Sequence, residues 1–228
     1  MKTKRELTDQ ELITELQNSN LLTVSIDGYR HIRDTFNTYY EYPELSSLKR
    51  LVERSIIKGE FLGAMLLTNF LMEYFCKIVL IYHYTFSNKD EVDMKNRPFQ
   101  ITEELQEPTD IYDEKNLHNN IEKLKKLNLI DEINFEKLMI LKEKFRNSLN
   151  HANRKKLYEE SVSHIEAISV ENKNLVSLGQ KFEKNYLLPL ADFKLLENFS
   201  IANCVDYFLE LDLIIKSVLK KLSEKHKK

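Results

Sequence analysis

The chain has 228 residues, 42% of them hydrophobic, which is enough for one core-bearing domain. Only four glycines and four prolines interrupt helix-tolerant sequence, so the composition predicts an all-helical fold and leaves little room for a turn-rich β architecture. A formal net charge of -2 excludes a surface that binds polyanions all over; any nucleic-acid contact must be a local patch.

The first residues, Met1 to Glu6, are charged and lead into no apolar run, so no secretory signal is expected. Thr8 and Glu11 form a capping box ahead of Leu12, Ile13 and Leu16, and Asn18 to Asn20 end that short helix. Leu22 to Ile26 reads as a possible strand. From Tyr29 the residues Ile32, Phe36, Tyr39 and Tyr40 recur at helical spacing. Pro43 breaks the chain, and Leu48, Leu51, Val52 and Ile56 mark the next helix. Residues 1–45 are read as an N-terminal helical extension and 46–228 as the main helical domain.

The stretch from Glu60 to about Phe86 is apolar enough to invite a membrane-spanning reading. Thr68, Asn69, Glu73 and Lys77 nevertheless form a polar line at helical spacing, and a carboxylate and an ammonium in mid-span make insertion costly. The expectation is the central helix of a bundle, with no membrane contact. Two readings of Glu73 follow. It pairs with Lys77 one turn on, or it meets a cation on another helix. Cys76 and Cys204 are too few and too scattered for a disulfide framework or a metal-ligand set; they read as reduced core thiols of a cytoplasmic protein.

Residues 87–116 lose periodicity and hold Pro98 and Pro108, so a loop or inserted flap is expected. Leu117, Ile121, Leu124 and Leu127 resume a helix that Asn128 can end. A long amphipathic helix runs from about Asp131 to Ala152. Residues 153–199 are mixed, with a break at Pro189. Ile201, Val205, Phe208, Leu213, Val218 and Leu222 then predict a last long helix.

The helix from Asp131 to Ala152 carries the chemistry. On a uniform wheel of about 100° per residue, Leu138, Leu141, Phe145, Leu149 and Ala152 form the core stripe. Arg146, Asn147, Asn150 and His151 fall on a separate polar arc, together with Met139 and Ile140. An imidazole can take the proton of a ribose 2′-OH or give one to the leaving oxygen. A guanidinium can grip the phosphate and stabilise the added charge of the transition state. The amides can orient both groups. Such a site needs no metal, no cofactor and no enzyme nucleophile. Lys144, Arg154 and Lys155 lie beside the arc and can bind flanking phosphates.

The segment Arg146-Asn147-Ser148-Leu149-Asn150-His151 resembles the arginine, polar residue, then histidine signature of the HEPN superfamily (higher eukaryote and prokaryote nucleotide-binding domains). The layout is similar too: a long apolar helix with an internal glutamate, a loop, a short helix, then the motif helix. The resemblance covers roughly residues 50–220. It implies an antiparallel helical bundle that dimerises so that two motifs face each other across one cleft. It also implies a metal-independent endoribonuclease of toxin or antiviral-defence type, with Arg146 and His151 catalytic, Asn147 the polar residue of the motif, and Glu73 a looser match. Some toxins of the family carry a modified tyrosine directly after the histidine; here the nearest is Tyr158.

The function expected is therefore a cytoplasmic, RNA-cleaving homodimer held in check by a neutralising protein partner. The competing reading is a binding module: a helical adaptor or antitoxin-like partner that does not cleave.

Overall fold

The structure, a computed structural model, describes residues 8, 10–11, 14, 26–36, 38–87, 100–150, 166–168, 175–177 and 189–226. Near the start, Thr8 N donates to Glu11 Oε2 at 2.8 Å and Glu11 N donates to Thr8 Oγ1 at 3.3 Å, the reciprocal pair that the sequence predicts.

The first full helix, α1 (Ile26–Ile32), buries Tyr29 and Ile32 against α2 (Pro43–Ile57). Gly28 makes this close approach possible: a Cβ there would lie 2.6 Å from the carbonyl oxygen of Ile56. Helical spacing predicts that α1 continues to Tyr40, but it stops at Ile32. The hydroxyls of Thr35 and Thr38 donate to the carbonyls of Ile32 and Thr35 at 2.9 and 2.6 Å. These local bonds compete with the helical ladder and turn the chain. Pro43 then opens α2 rather than merely ending what precedes it, since its missing N–H is unneeded in a first turn. The expected domain boundary at residue 45 falls inside α2.

A buried polar network ties these segments together. The Lys49 ammonium donates to the carbonyls of Thr35 and Thr38 at 2.6 and 3.1 Å, and it pairs with Glu53. The Tyr40 hydroxyl donates to Asp212 Oδ1 at 2.6 Å, and Lys216 sits 2.6 Å from Asp212 Oδ2.

The central element is α3 (Phe61–Ser87). Ala64, Met65, Leu71, Met72, Phe75, Cys76, Val79 and Leu80 are fully buried along it. It is long and apolar enough to cross a membrane, yet 67% of its most apolar window lies inside the bundle. Neighbours on several sides supply that cover: α2, α4 (Gln100–Asp113), α5 (Leu117–Lys126) and the last helix, α8 (Pro189–His226).

Helix α4 corrects the expected loop over Gln100–Asp113, while residues 88–99 of that expectation lie outside the described residues. Its polar surface and internal Pro108 mask a helical repeat at Ile101, Leu105, Pro108 and Tyr112. Proline forfeits one helical hydrogen bond, but Pro108 and Tyr112 are both buried. Asn116 caps α5 by accepting from Asn119 N at 3.0 Å, and Asn128, at φ 55°, ends it in the left-handed region as expected.

Asp131 accepts from Asn134 N at 2.8 Å and starts α6 (Glu132–Leu141). That backbone bond, with Lys221 behind it, holds the Asp131 carboxyl below its ordinary value. A π turn follows over Lys142–Arg146, then α7 (Asn147–Asn150). Two three-residue strands, β1 (Glu166–Ile168) and β2 (Leu175–Ser177), pair antiparallel. They are a small departure from the purely helical expectation. Helix α8 starts at Pro189, well before Ile201, because Pro189 opens the helix instead of breaking it. Lys137–Glu210 at 2.5 Å and Lys221–Asp131 at 3.1 Å run α6 and α8 past each other in opposite directions.

Candidate functional site

Arg146 is the last residue of the π turn. An i→i+5 turn holds about one residue more than an α turn, so residues after it are rotated by up to roughly 100° against residues before it. The buried side of this stretch nevertheless keeps Leu138, Leu141, Phe145 and Leu149 in one stripe, with Lys142 at its edge. Arg146 is brought round toward α3. Its Nε donates to Glu73 Oε1 at 2.8 Å, and its Nη1 donates to Asn147 Oδ1 at 3.1 Å. The two charged side chains keep 25% and 32% of their surface, so the pair sits at the surface with its anchoring edge turned inward.

Glu73 therefore meets the arginine of the motif helix and not Lys77. Lys77 instead pairs with Asp113 of α4 at 3.0 Å. The helix-adjacent pairing, the commoner arrangement for such spacing, loses because α4 offers Lys77 a carboxylate of its own.

Behind the pair lies an aromatic wall. Phe145, next to Arg146, stacks on Tyr207 of α8 with centroids 4.5 Å apart, and it tilts against Phe199 at 6.0 Å. The Tyr207 hydroxyl donates to Asn69 Oδ1 at 2.8 Å, one turn of α3 before Glu73. Burial first, then the Glu73 charge, pushes the Tyr207 phenol well above its ordinary value. It stays a neutral donor, and it fixes the α3 face that carries Glu73.

Of the expected site residues, Arg146, Asn147 and Glu73 come together. Lys144 is half-buried, with its ammonium 5.1 Å from the Phe145 ring centroid. Asn150 is the last residue of α7, but its side chain lies outside the description. His151, Arg154, Lys155, Ala152 and Tyr158 lie outside the described residues altogether. Met139 and Ile140 lie on α6, just before the π turn. Met139 packs against the core and Ile140 is 60% exposed.

The apolar neighbours of the site are on α3. Leu66 and Phe70 are 47% and 58% exposed, two turns and one turn before Glu73 on the same helix face. Lys142 was equally unforeseen. It is 8% exposed, with its ammonium 3.3 Å from His118 Nδ1 and 2.9 Å from Glu143 Oε1. At about 100° per residue Lys142 falls roughly 20° from Leu149, at the edge of the core stripe, which is the signal that could have found it. Among the described residues, no three metal-ligating side chains gather at one place.

Chemically the arrangement offers a partly exposed guanidinium oriented by a carboxylate and an amide, with aromatic rings packed behind it. No protein-family model, curated protein or solved structure matches this chain.

Proposed function

We propose that this chain is a cytoplasmic endoribonuclease of toxin or defence type, similar in design to HEPN domains, acting as a homodimer under the control of a protein partner. The observation that carries the reading is the Arg146–Glu73 contact across the π turn. It presents the motif arginine in one orientation, as stabilisation of a phosphorane-like transition state requires. In this reading Arg146 holds the non-bridging oxygens of the phosphate. The ribose 2′-oxygen attacks phosphorus, the 5′-oxygen leaves, and His151 moves the proton. Asn147 and Glu73 keep Arg146 in place, Asn150 supports it, and Lys144, Arg154 and Lys155 take flanking phosphates.

Purified protein should cleave single-stranded RNA in the presence of EDTA, leave a 2′,3′-cyclic phosphate or its hydrolysis product, and spare DNA. Cleavage of DNA at a similar rate would sink the mechanism, since DNA has no 2′-OH.

A second reading has one observation in its favour. A carboxylate that neutralises Arg146 and bridges two helices is also what a cross-brace in a non-catalytic adaptor does. Arg146→Ala separates the two. A brace loses thermal stability and has no cleavage to lose, whereas the enzyme loses cleavage at nearly constant stability.

A further inference from the structure

On another part of its surface, α3 carries aromatic rings that the ribonuclease reading does not use. The Tyr82 ring lies 4.6 Å from that of Tyr42, just ahead of α2, at 55°, and 5.8 Å from that of Phe86 at 29°. The Tyr82 hydroxyl donates to Glu44 Oε1 at 3.5 Å. Tyr42, Tyr74, Tyr82 and Phe86 are all half-buried, while Glu41 and Glu44 are exposed. The result is a notch of ring faces with a carboxylate at its rim.

The carboxylates at the rim of these rings are Glu41 and Glu44, both exposed. Burial is the largest cause raising Tyr42 and Tyr82 to about 12, and it also raises Tyr74; the charged side chains that add to it are Glu41, Glu44 and Asp113. The phenols stay neutral. Lys77, the cation beside Asp113, is already bound to it at 3.0 Å. Aromatic faces under a negative field attract a cation, and the same field repels a phosphate backbone.

The extent of the surface indicates which cation. From Tyr74 to Phe86 the row spans about 18 Å of helix, more than a small ammonium ion can fill. On α2, Leu51 stands two turns from Glu44 on the same face and is 49% exposed. An apolar strip that ends in an acidic aromatic notch matches an amphipathic segment with a basic residue at one end.

We propose that the face formed by α2 and α3 docks a segment of a partner protein, which sets a lysine or arginine against Tyr42, Tyr82 and Glu44 and lays apolar side chains along Tyr74 and Leu51. The docking face meets the Glu73 face where Tyr74 stacks on Phe70 at 6.0 Å, but its notch of Tyr42, Tyr82 and Glu44 uses no residue of the RNA-cleaving site.

The test uses the full chain and two synthetic helical peptides, identical in two leucines four residues apart and differing at one position a turn further on. That position is arginine in one peptide and glutamine in the other. The arginine peptide should bind saturably and the glutamine peptide about tenfold more weakly. Glu44→Gln, at an exposed site that leaves the fold intact, should remove most of that difference. Tyr82→Leu should do the same, and Tyr82→Phe, which keeps the ring, should retain most of it. Equal binding of the two peptides, or an unchanged preference in Glu44→Gln, would overturn the proposal. So would tetramethylammonium displacing the arginine peptide at comparable concentration, which would assign the notch to a small cation. Dissociation of self-assembled chain by Glu44→Gln would assign the face to a second copy and equally overturn it.

Discussion

Arg146 Nε donates to Glu73 Oε1 at 2.8 Å from a different helix, while its Nη1 donates to Asn147 Oδ1 at 3.1 Å. Both charged side chains remain partly exposed, so the bond between them contributes modestly to stability, about 1 kcal/mol or less after solvent screening. Its consequence is orientation. Glu73→Gln should therefore lower RNA turnover by about tenfold to a hundredfold, the usual cost of a slightly misplaced catalytic group, while the melting temperature hardly moves. Turnover equal to wild type would remove Glu73 from the site.

The proposed homodimer should use the exposed apolar residues on the Glu73 face of α3. Leu66 and Phe70 precede Glu73 on the same face of α3 and are exposed, whereas Ile140 lies on α6, before the π turn. Leu66→Glu should split the homodimer and abolish cleavage while the chain keeps its helical content. Ile140→Glu, at a site 60% exposed, should leave dimer, activity and fold unchanged, with stability within about 0.5 kcal/mol of wild type. Light scattering with a thermal melt on both variants checks this. A dimer broken by Ile140→Glu and spared by Leu66→Glu would place the interface on α6 instead.

How much of this was legible in the residues differs by element. Apolar periodicity located α3, α5 and the core stripe Leu138, Leu141, Phe145 and Leu149, because each buries one continuous face. Asn128 and the Thr8–Glu11 box were legible because their caps use local bonds. Prolines misled at both Pro108 and Pro189. One is buried inside α4 and the other opens α8, and only the surroundings distinguish these uses from a break. The π turn was not legible at all. Its extra residue leaves Leu138, Leu141, Phe145 and Leu149 in one buried row, so no break in the apolar periodicity announces it. Glu73 stood out in the sequence as an acid in an apolar helix, but its partner could be settled only by where α4 puts Asp113.

Glu53 should give the protein a pH-dependent stability. Burial raises its carboxyl from 4.5 to about 7, Asp212 adds to the rise, and Lys49 opposes it. A raised carboxyl means that the folded state binds the proton more tightly than the unfolded chain between those two values. Stability contributed by the protonated form is then lost as pH rises toward and through 7. The loss between pH 5 and pH 8 should be at most about 3 kcal/mol. Urea melts at several pH values should show wild type weakening over that window and Glu53→Gln much flatter. A wild-type protein that gains stability from pH 5 to pH 8, with Glu53→Gln changing nothing, would refute the assignment.

The central claim is that Arg146, oriented by Glu73, acts with His151 on RNA. It is tested most directly by measuring cleavage of single-stranded RNA in EDTA by wild type, Arg146→Ala and His151→Ala, each checked by thermal melting. The account predicts cleavage by wild type, a loss of about a hundredfold to a thousandfold in each variant, and melting temperatures close to wild type. Wild-type cleavage rates in both variants, or no RNA cleavage by a folded wild-type dimer, would contradict it.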